Sequence, residues 1–404
     1  MAIQFSNRME QLKASEIREI LKLTLQPDII SFAGGLPAPE LFPIEEMKRI
    51  SKKVLDEMGA EALQYSPTEG YEPLRQKIAE RMNKSGVKTK ADEVLIISGS
   101  QQGLDFSGKI FLNPGDVVVC ESPSYLGAIN AFKAYECAFL EIETDKDGMI
   151  LEDLKAKLQQ TQNVKMIYVI TDFQNPSGRT WSLERREGLL KLASEFDLPI
   201  IEDNPYRELR FEGEVLPSLR SLDKEGRVIF LGSFSKIFCP GLRIGWVNAA
   251  PVLLEKYIFV KQGADLQTSS MSQRELSVFM DENDFDAHIE KIKAVYIKRR
   301  DLMIATIKET FPPQAQWTYP EGGLFIWVEL PESINTRELM IKAVEKKVAF
   351  VPGGSFYPSG DKENAMRINY SNMSEDKIVE GIKRLGALLY EAIERVASLN
   401  DSVG

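Results

Sequence analysis

Between residues 94 and 248 the chain keeps repeating one pattern: a short unbroken apolar run, a polar turn, then a stretch that reads as helix. The runs are VLIIS (94–98), DVVVCE (116–121), KMIYVIT (165–171), LPIIED (198–203), RVIFLGS (227–233) and RIGWVN (243–248). They are too short for buried helices and rich in Val and Ile. Such runs are strands covered on both faces, and the helices between them supply the crossovers that parallel neighbours need. The pattern therefore predicts an α/β fold around a mostly parallel sheet.

The pattern changes near residue 290. Residues 284–311 read as one long helix, with Phe285, Ile289, Ile292, Tyr296 and Met303 on a stripe that Arg299 interrupts. Shorter strands are expected at 324–330, 348–351 and 365–370. A last helix starts near Ser374, with Glu375 and Asp376 in its first turn. Upstream, residues 15–25 read as a helix striped by Ile17, Ile20, Leu21 and Leu25, and SFAGGLPAPELFP (31–43) as a shaped loop. The expected division is 1–45, a helix and loop packing with the small domain and the active site; 46–289, a large α/β domain; and 290–404, a smaller α+β domain.

Composition excludes several function classes. The formal charge of −10 over 404 residues argues against nucleic-acid binding. The single histidine, His288, sits in a charged helical pattern and is expected on an exposed helix face. No Ser-His-Asp triad or His-rich metal site is expected, so acid–base chemistry falls to lysine, tyrosine or carboxylates. Cys120, Cys137 and Cys239 form no CxxC pair, and no metal is expected. No run of about 18 apolar residues and no signal-peptide pattern is present, so a cytoplasmic protein without a membrane partner is expected.

The chemistry-bearing residues fall where the strands end. VLIIS runs into Gly99, Ser100, Gln101 and Gln102, and DVVVCE into Ser122, Pro123, Ser124 and Tyr125. KMIYVIT runs into Asp172, Phe173, Gln174, Asn175 and Pro176. LPIIED ends on Asp203 before Asn204, Pro205 and Tyr206, and RVIFLGS leads through Ser233, Phe234 and Ser235 to Lys236. Ligands of open α/β sheets bind outside the carboxyl ends of the strands. Turn chemistry explains any single end; it does not explain five successive ends that include an acid and a lysine. A strand-to-helix turn at Gly99–Ser100 favours a phosphate, to which Ser233, Ser235 and Arg243 add donors. The spacing of Gly103, Gly108 and Lys109 imitates a nucleotide-binding loop, but Ile110 stands where a hydroxyl is required, and the stretch falls inside the expected helix. A phosphate site, an acid and a lysine at neighbouring strand ends suit a phosphorylated pyridine aldehyde, with Asp203 keeping the ring nitrogen protonated.

The stretches SFAGGLPAPELFP, LQYSPTEGYEPLR, ISGSQQGLD, ESPSY, DFQNPSG, EDNPY, GSFSK, GLRIGW and MRINY stand in the order found in one family. The chain resembles pyridoxal-phosphate aminotransferases of fold type I, and within them the 2-aminoadipate aminotransferase and kynurenine aminotransferase II group, from Ser15 to the C-terminal helix. The resemblance implies a three-layer α/β/α large domain with a seven-stranded, mostly parallel sheet. It also implies a Schiff base to Lys236, Asp203 on the ring nitrogen and Tyr125 stacked on the ring, with Asn175 and Tyr206 on the phenolic oxygen. Ser100, Gln101, Ser233, Ser235 and Arg243 would hold the phosphate. Arg367, with Asn175, would receive the substrate α-carboxylate, and Gly34 and Gly35 would let the nearby loop approach the ligand closely. Tyr65 would reach the site of a neighbouring subunit in a homodimer with shared active sites. Arg18, on a movable N-terminal helix, would meet an acidic substrate side chain.

The implied activity is transfer of an amino group from an acidic, aromatic or branched L-amino acid to an oxo acid such as 2-oxoglutarate. Each of these positions also has a plain alternative: core aromatics for Tyr125 and Tyr206, a surface ion pair for Arg367, a turn starter for Asn175 and a solvated helix residue for Arg18. The rivals to transamination are a lyase or decarboxylase on the same scaffold, and a ligand-sensing regulator. The regulator would need a winged-helix segment, for which about 15 residues before the first helix are too few.

Overall fold

The computed structural model describes residues 3–11 and 28–401. The expected helix at 15–25, and Arg18 with it, lies outside the described residues.

Fourteen strands are formed among these residues: β1 (Ile30–Ser31), β2 (Val94–Ile97), β3 (Val117–Ser122), β4 (Ala138–Asp145), β5 (Gly148–Met149), β6 (Val164–Val169), β7 (Ile200–Asp203), β8 (Val228–Ser233), β9 (Gly245–Asn248), β10 (Gln316–Trp317), β11 (Phe325–Glu329), β12 (Val348–Ala349), β13 (Val351–Pro352) and β14 (Ala365–Asn369). The large sheet has the order β2-β9-β8-β7-β6-β3-β4-β5. The pairs from β8 through β7, β6 and β3 to β4 are parallel, whereas β9 runs against both β2 and β8. Beyond the expected seven strands, β5 adds a two-residue antiparallel edge on β4. All six apolar runs form strands. Strand β4, AFLEIETD, next to that edge, has Ile142 as its one buried residue, and its mixed sequence gives no continuous run.

Neighbouring residues of the central strands enter opposite cores. Met166, Tyr168, Ile201, Ile229 and Leu231 join one; Ile167, Val169, Ile200 and Val228 join the other, with Leu154, Leu158 and Leu189 of the covering helices. Both faces are thus dry, as the continuous apolar runs require.

The smaller region holds the antiparallel sheet β10-β11-β14-β13, covered by helices Phe285–Thr310, Thr336–Glu345 and Glu375–Asp401. The N-terminal segment joins it through β1, which pairs in parallel with β12, and through Ala38 N, which donates to Tyr296 Oη at 3.0 Å. Helix Phe285–Thr310 runs unbroken across position 290. Its first residue, Phe285, packs among Phe234, Phe238 and Phe279. His288 differs from expectation: it is half-buried, edge-on to Phe238 and Phe279 at 5.7 and 5.8 Å. The flanking charges hid this, because the turn carrying Phe285 faces an aromatic cluster rather than water. Arg299, the interruption in the stripe, is buried too, paired with Glu40 and donating to Ser371 O at 2.6 Å.

Candidate active site

The central cleft gathers a set of groups that could cradle an anion. Where β2 meets helix Ser100–Phe111, Gly99 adopts φ +81°, a conformation that favours glycine. A Cβ at Gly99 would lie 2.3 Å from Arg243 Nη2, and one at Gly245 would lie 2.9 Å from Ser100 N. The two glycines let three backbone segments converge. The first N–H groups of the helix have no partner within it, and the helix dipole adds positive potential. Arg243 Nη2 donates to Ser98 O at 3.1 Å. Ser233 Oγ donates to Ser235 Oγ at 2.9 Å and accepts from Ser235 N at 3.1 Å. Gln101 Nε2 donates to Gly127 O at 2.9 Å, tying the cradle to the helix that follows Tyr125. The imitation nucleotide loop lies within helix Ser100–Phe111, where Gly103 and Gly108 make room for Leu231 and Tyr135.

The same cleft holds Asp203, the last residue of β7 and 1% exposed. Its Oδ2 accepts from Tyr168 Oη at 3.0 Å, and its Oδ1 is buried without a partner among the described residues. Burial pushes the carboxyl up to about 7, opposed by the Tyr168 hydrogen bond and by Lys236. A buried acceptor left bare is costly, and a protonated ring nitrogen is the kind of donor it lacks. Tyr168 reaches Asp203 because it pairs with Ile201 across β6 and β7, which puts it on the same face as the residue two further on.

Lys236 also lines the cleft, and its Nζ donates to Gly35 O at 2.8 Å. Burial, then the charges of Arg367 and Arg243, lower this amine to about 8, with Asp203 opposing. Tyr125 precedes helix Leu126–Lys133. Its ring crosses Gly127 so closely that a Cβ there would lie 2.4 Å from Tyr125 Cζ. Burial, then Asp203, raise the Tyr125 phenol.

Arg367 comes from β14 and is 2% exposed. Nη1 donates to Asn175 Oδ1 at 2.8 Å and Nη2 to Ala33 O at 2.6 Å, while Nε has no partner among the described residues. The guanidinium lies over Phe325 at 4.3 Å and Phe356 at 5.1 Å. The register Phe325↔Asn369 and Trp327↔Arg367 puts Phe325 diagonally beside Arg367 on one face of the sheet. Burial disfavours its charge, and among the described residues no carboxylate lies within ion-pairing distance to offset that. Asn175 Nδ2 donates to Tyr206 Oη at 3.4 Å, and Tyr206 meets Phe325 edge-on.

One cleft of about 250 Å³ is lined by Gly35, Ser100, Gln101, Tyr125, Asn175, Asp203, Tyr206, Ser233, Ser235, Lys236, Arg243 and Arg367. Tyr65 stands apart, 78% exposed. The cleft also holds Ile170 and Phe325, and Tyr168 backs it; sequence reasoning singled out none of these three. Period-two alternation put Tyr168 and Ile170 on one face and could have flagged both. No sequence signal marks Phe325.

The donors match pyridoxal 5′-phosphate: a cradle for the phosphate, a bare carboxylate oxygen for the ring nitrogen and an amine of lowered proton affinity for the aldehyde. Residues 33–385 match the family described as aminotransferase class I and II. The chain is 46% identical over 396 residues to aromatic-amino-acid aminotransferase 1 of Thermococcus litoralis, covering 97% of this chain and 95% of that protein. It is 42% identical over 388 residues to a 2-aminoadipate transaminase of Thermus thermophilus, covering 95% and 96%. The solved α-aminoadipate aminotransferase of Thermus thermophilus, in complex with N-(5′-phosphopyridoxyl)-L-leucine, superposes with a TM-score of 0.90 at 41% identity over 96% of this chain and 98% of that one. Motif order, fold and cleft chemistry agree with these likenesses: the chain belongs to the class I and II aminotransferases and is a pyridoxal-phosphate-dependent enzyme.

Proposed function

We propose that the enzyme takes the amino group of an acidic L-amino acid, 2-aminoadipate or glutamate, accepts aromatic and branched donors at the same site, and passes the group to 2-oxoglutarate in two ping-pong half-reactions. The observation that carries this reading is Arg367: a buried guanidinium facing the cleft of Lys236, with no carboxylate within ion-pairing distance among the described residues. An α-carboxylate supplies the missing anion through a two-pronged contact. The names of the two relatives, aromatic in one case and 2-aminoadipate in the other, support the donor range.

Bound pyridoxal phosphate supplies an aldehyde carbon that exchanges one amine for another and a ring that takes up electrons released at Cα. The chain's residues do the rest. Ser100, Gln101, Ser233, Ser235 and Arg243 hold the phosphate, and Tyr125 stacks on the ring. Asn175 and Tyr206 donate to the phenolic oxygen, and Asp203 keeps a proton on the ring nitrogen. Arg367, aided by Asn175 and the backbone at Gly35, fixes the α-carboxylate and so aims the Cα proton at Lys236. Lys236 Nζ, its proton affinity lowered to about 8, would remove that proton and return it to the aldehyde carbon of the cofactor, on the far side of the nitrogen from Cα. Arg18 meets an acidic side chain. The exposure of Tyr65 and of Leu63 near it supports a homodimer in which Tyr65 completes the neighbour's site.

The test is a half-reaction panel. The yellow holoenzyme is mixed with glutamate, 2-aminoadipate, leucine, phenylalanine, kynurenine and aspartate, and the long-wavelength band is followed. Bleaching with the acidic donors and recovery of the band with 2-oxoglutarate are expected. No bleaching with any donor sinks the reading, and release of carbon dioxide or ammonia instead identifies a decarboxylase or lyase.

A further inference from the structure

The turn at the phosphate end of the cleft is held from behind by an ion pair whose lysine is buried and whose aspartate is partly exposed. Lys261, on helix Pro251–Ala264, has no exposed surface. Its ammonium donates to Asp265 Oδ1 at 2.8 Å, Thr268 Oγ1 at 3.0 Å and Gln102 Oε1 at 3.1 Å. Asp265 Oδ2 accepts from Gln102 Nε2 at 2.8 Å and from Ser98 Oγ at 3.0 Å. Gln102 Oε1 also accepts from Ser98 N at 2.9 Å. With Arg243 on its carbonyl, every polar atom of Ser98 is held, and Ser98 directly precedes Gly99 and Ser100.

Burying an ammonium carries a desolvation cost that a surface lysine avoids, and packing alone does not ask for one here. The network extends the other way as well. Thr268 O accepts from Gln273 Nε2 at 2.9 Å, and Gln273 Oε1 accepts from Tyr71 N at 2.7 Å. Gln267 accepts from Ser66 N, next to Tyr65. A single cluster thus fixes both the phosphate turn and the loop bearing Tyr65.

We propose that Lys261 and Asp265 are positioning residues for the cofactor phosphate. Neither lines the cleft. They act through Ser98 and Gln102, which set the Gly99–Ser100 N–H groups and the Arg243 guanidinium around one point. The inference rests on reading this turn as the phosphate end.

The experiment strips the wild type, Lys261→Met and Asp265→Asn to the cofactor-free form. Affinities for pyridoxal 5′-phosphate and for pyridoxal are then measured, with inorganic phosphate as competitor and thermal unfolding as a check on the fold. Loss of the charge-assisted contacts in Lys261→Met is expected to weaken pyridoxal 5′-phosphate about 30-fold, while pyridoxal, which has no phosphate, binds as to the wild type. Asp265→Asn is expected to show a smaller loss in the same direction. Equal weakening of both ligands, or none, overturns the inference. A wild type that holds both ligands equally and ignores inorganic phosphate overturns the phosphate reading, and this inference with it.

Discussion

Asp203 is gripped on one oxygen by the Tyr168 phenol at 3.0 Å and left bare on the other. With its carboxyl raised from 3.8 to about 7 by burial, the folded cofactor-free chain keeps a proton that the unfolded chain has already released. Stability should therefore fall as pH rises from about 4 to about 7, by on the order of 4 kcal/mol from this group. Subtracting the unfolding profile of cofactor-free Asp203→Asn from that of the wild type isolates the effect. A difference that does not change with pH over that window refutes it.

Arg367 should be irreplaceable by lysine. An ammonium keeps the charge but loses the planar fork that bonds Asn175 Oδ1 and Ala33 O and lies against two aromatic rings. Arg367→Lys is expected to raise KM about 100-fold for every amino donor and oxo acceptor alike, because the proposed carboxylate contact would be common to all of them. Steady-state kinetics across the donor panel checks this. An effect confined to acidic donors would reassign Arg367 to side-chain recognition.

Gly127 should tolerate no side chain. In Gly127→Ala the new methyl group meets the Tyr125 ring at 2.4 Å, and the ring must leave the position from which it is proposed to stack on the cofactor. A loss of stacking of about 1–2 kcal/mol corresponds to roughly tenfold weaker cofactor binding, measurable by equilibrium dialysis. Unchanged binding would mean that the ring shifts without losing the cofactor.

Much of this was legible before any coordinates. The central strands announced themselves because burial on both faces leaves continuous apolar runs, and the strand-end residues followed from where ligands sit in such sheets. What stayed hidden was hidden for particular reasons. Strand β4 lies toward the sheet edge, half-wet, so its sequence mixes charge with apolar residues. Tyr168 looked like one more apolar strand residue, since nothing local says that its hydroxyl ends on Asp203; that depends on the register of β6 against β7. Phe325 owes its place beside Arg367 to pairing between β11 and β14. His288 was misjudged because its neighbours in sequence are charged while its neighbours in space are Phe238 and Phe279.

Strand β9 runs against both of its neighbours, and antiparallel strands need only a short connection, where parallel ones need a crossover. Lys236 and Arg243 both sit on the connection between β8 and β9. The amine and the cationic group therefore belong to one local hairpin, and bringing them together requires closing a single short loop. Asp203, Asn175 and Arg367 meet that hairpin only through pairings between segments far apart in the chain. In the order of assembly that contact order favours, Lys236 and Arg243 come into register first, and the groups proposed to direct the reaction close around them.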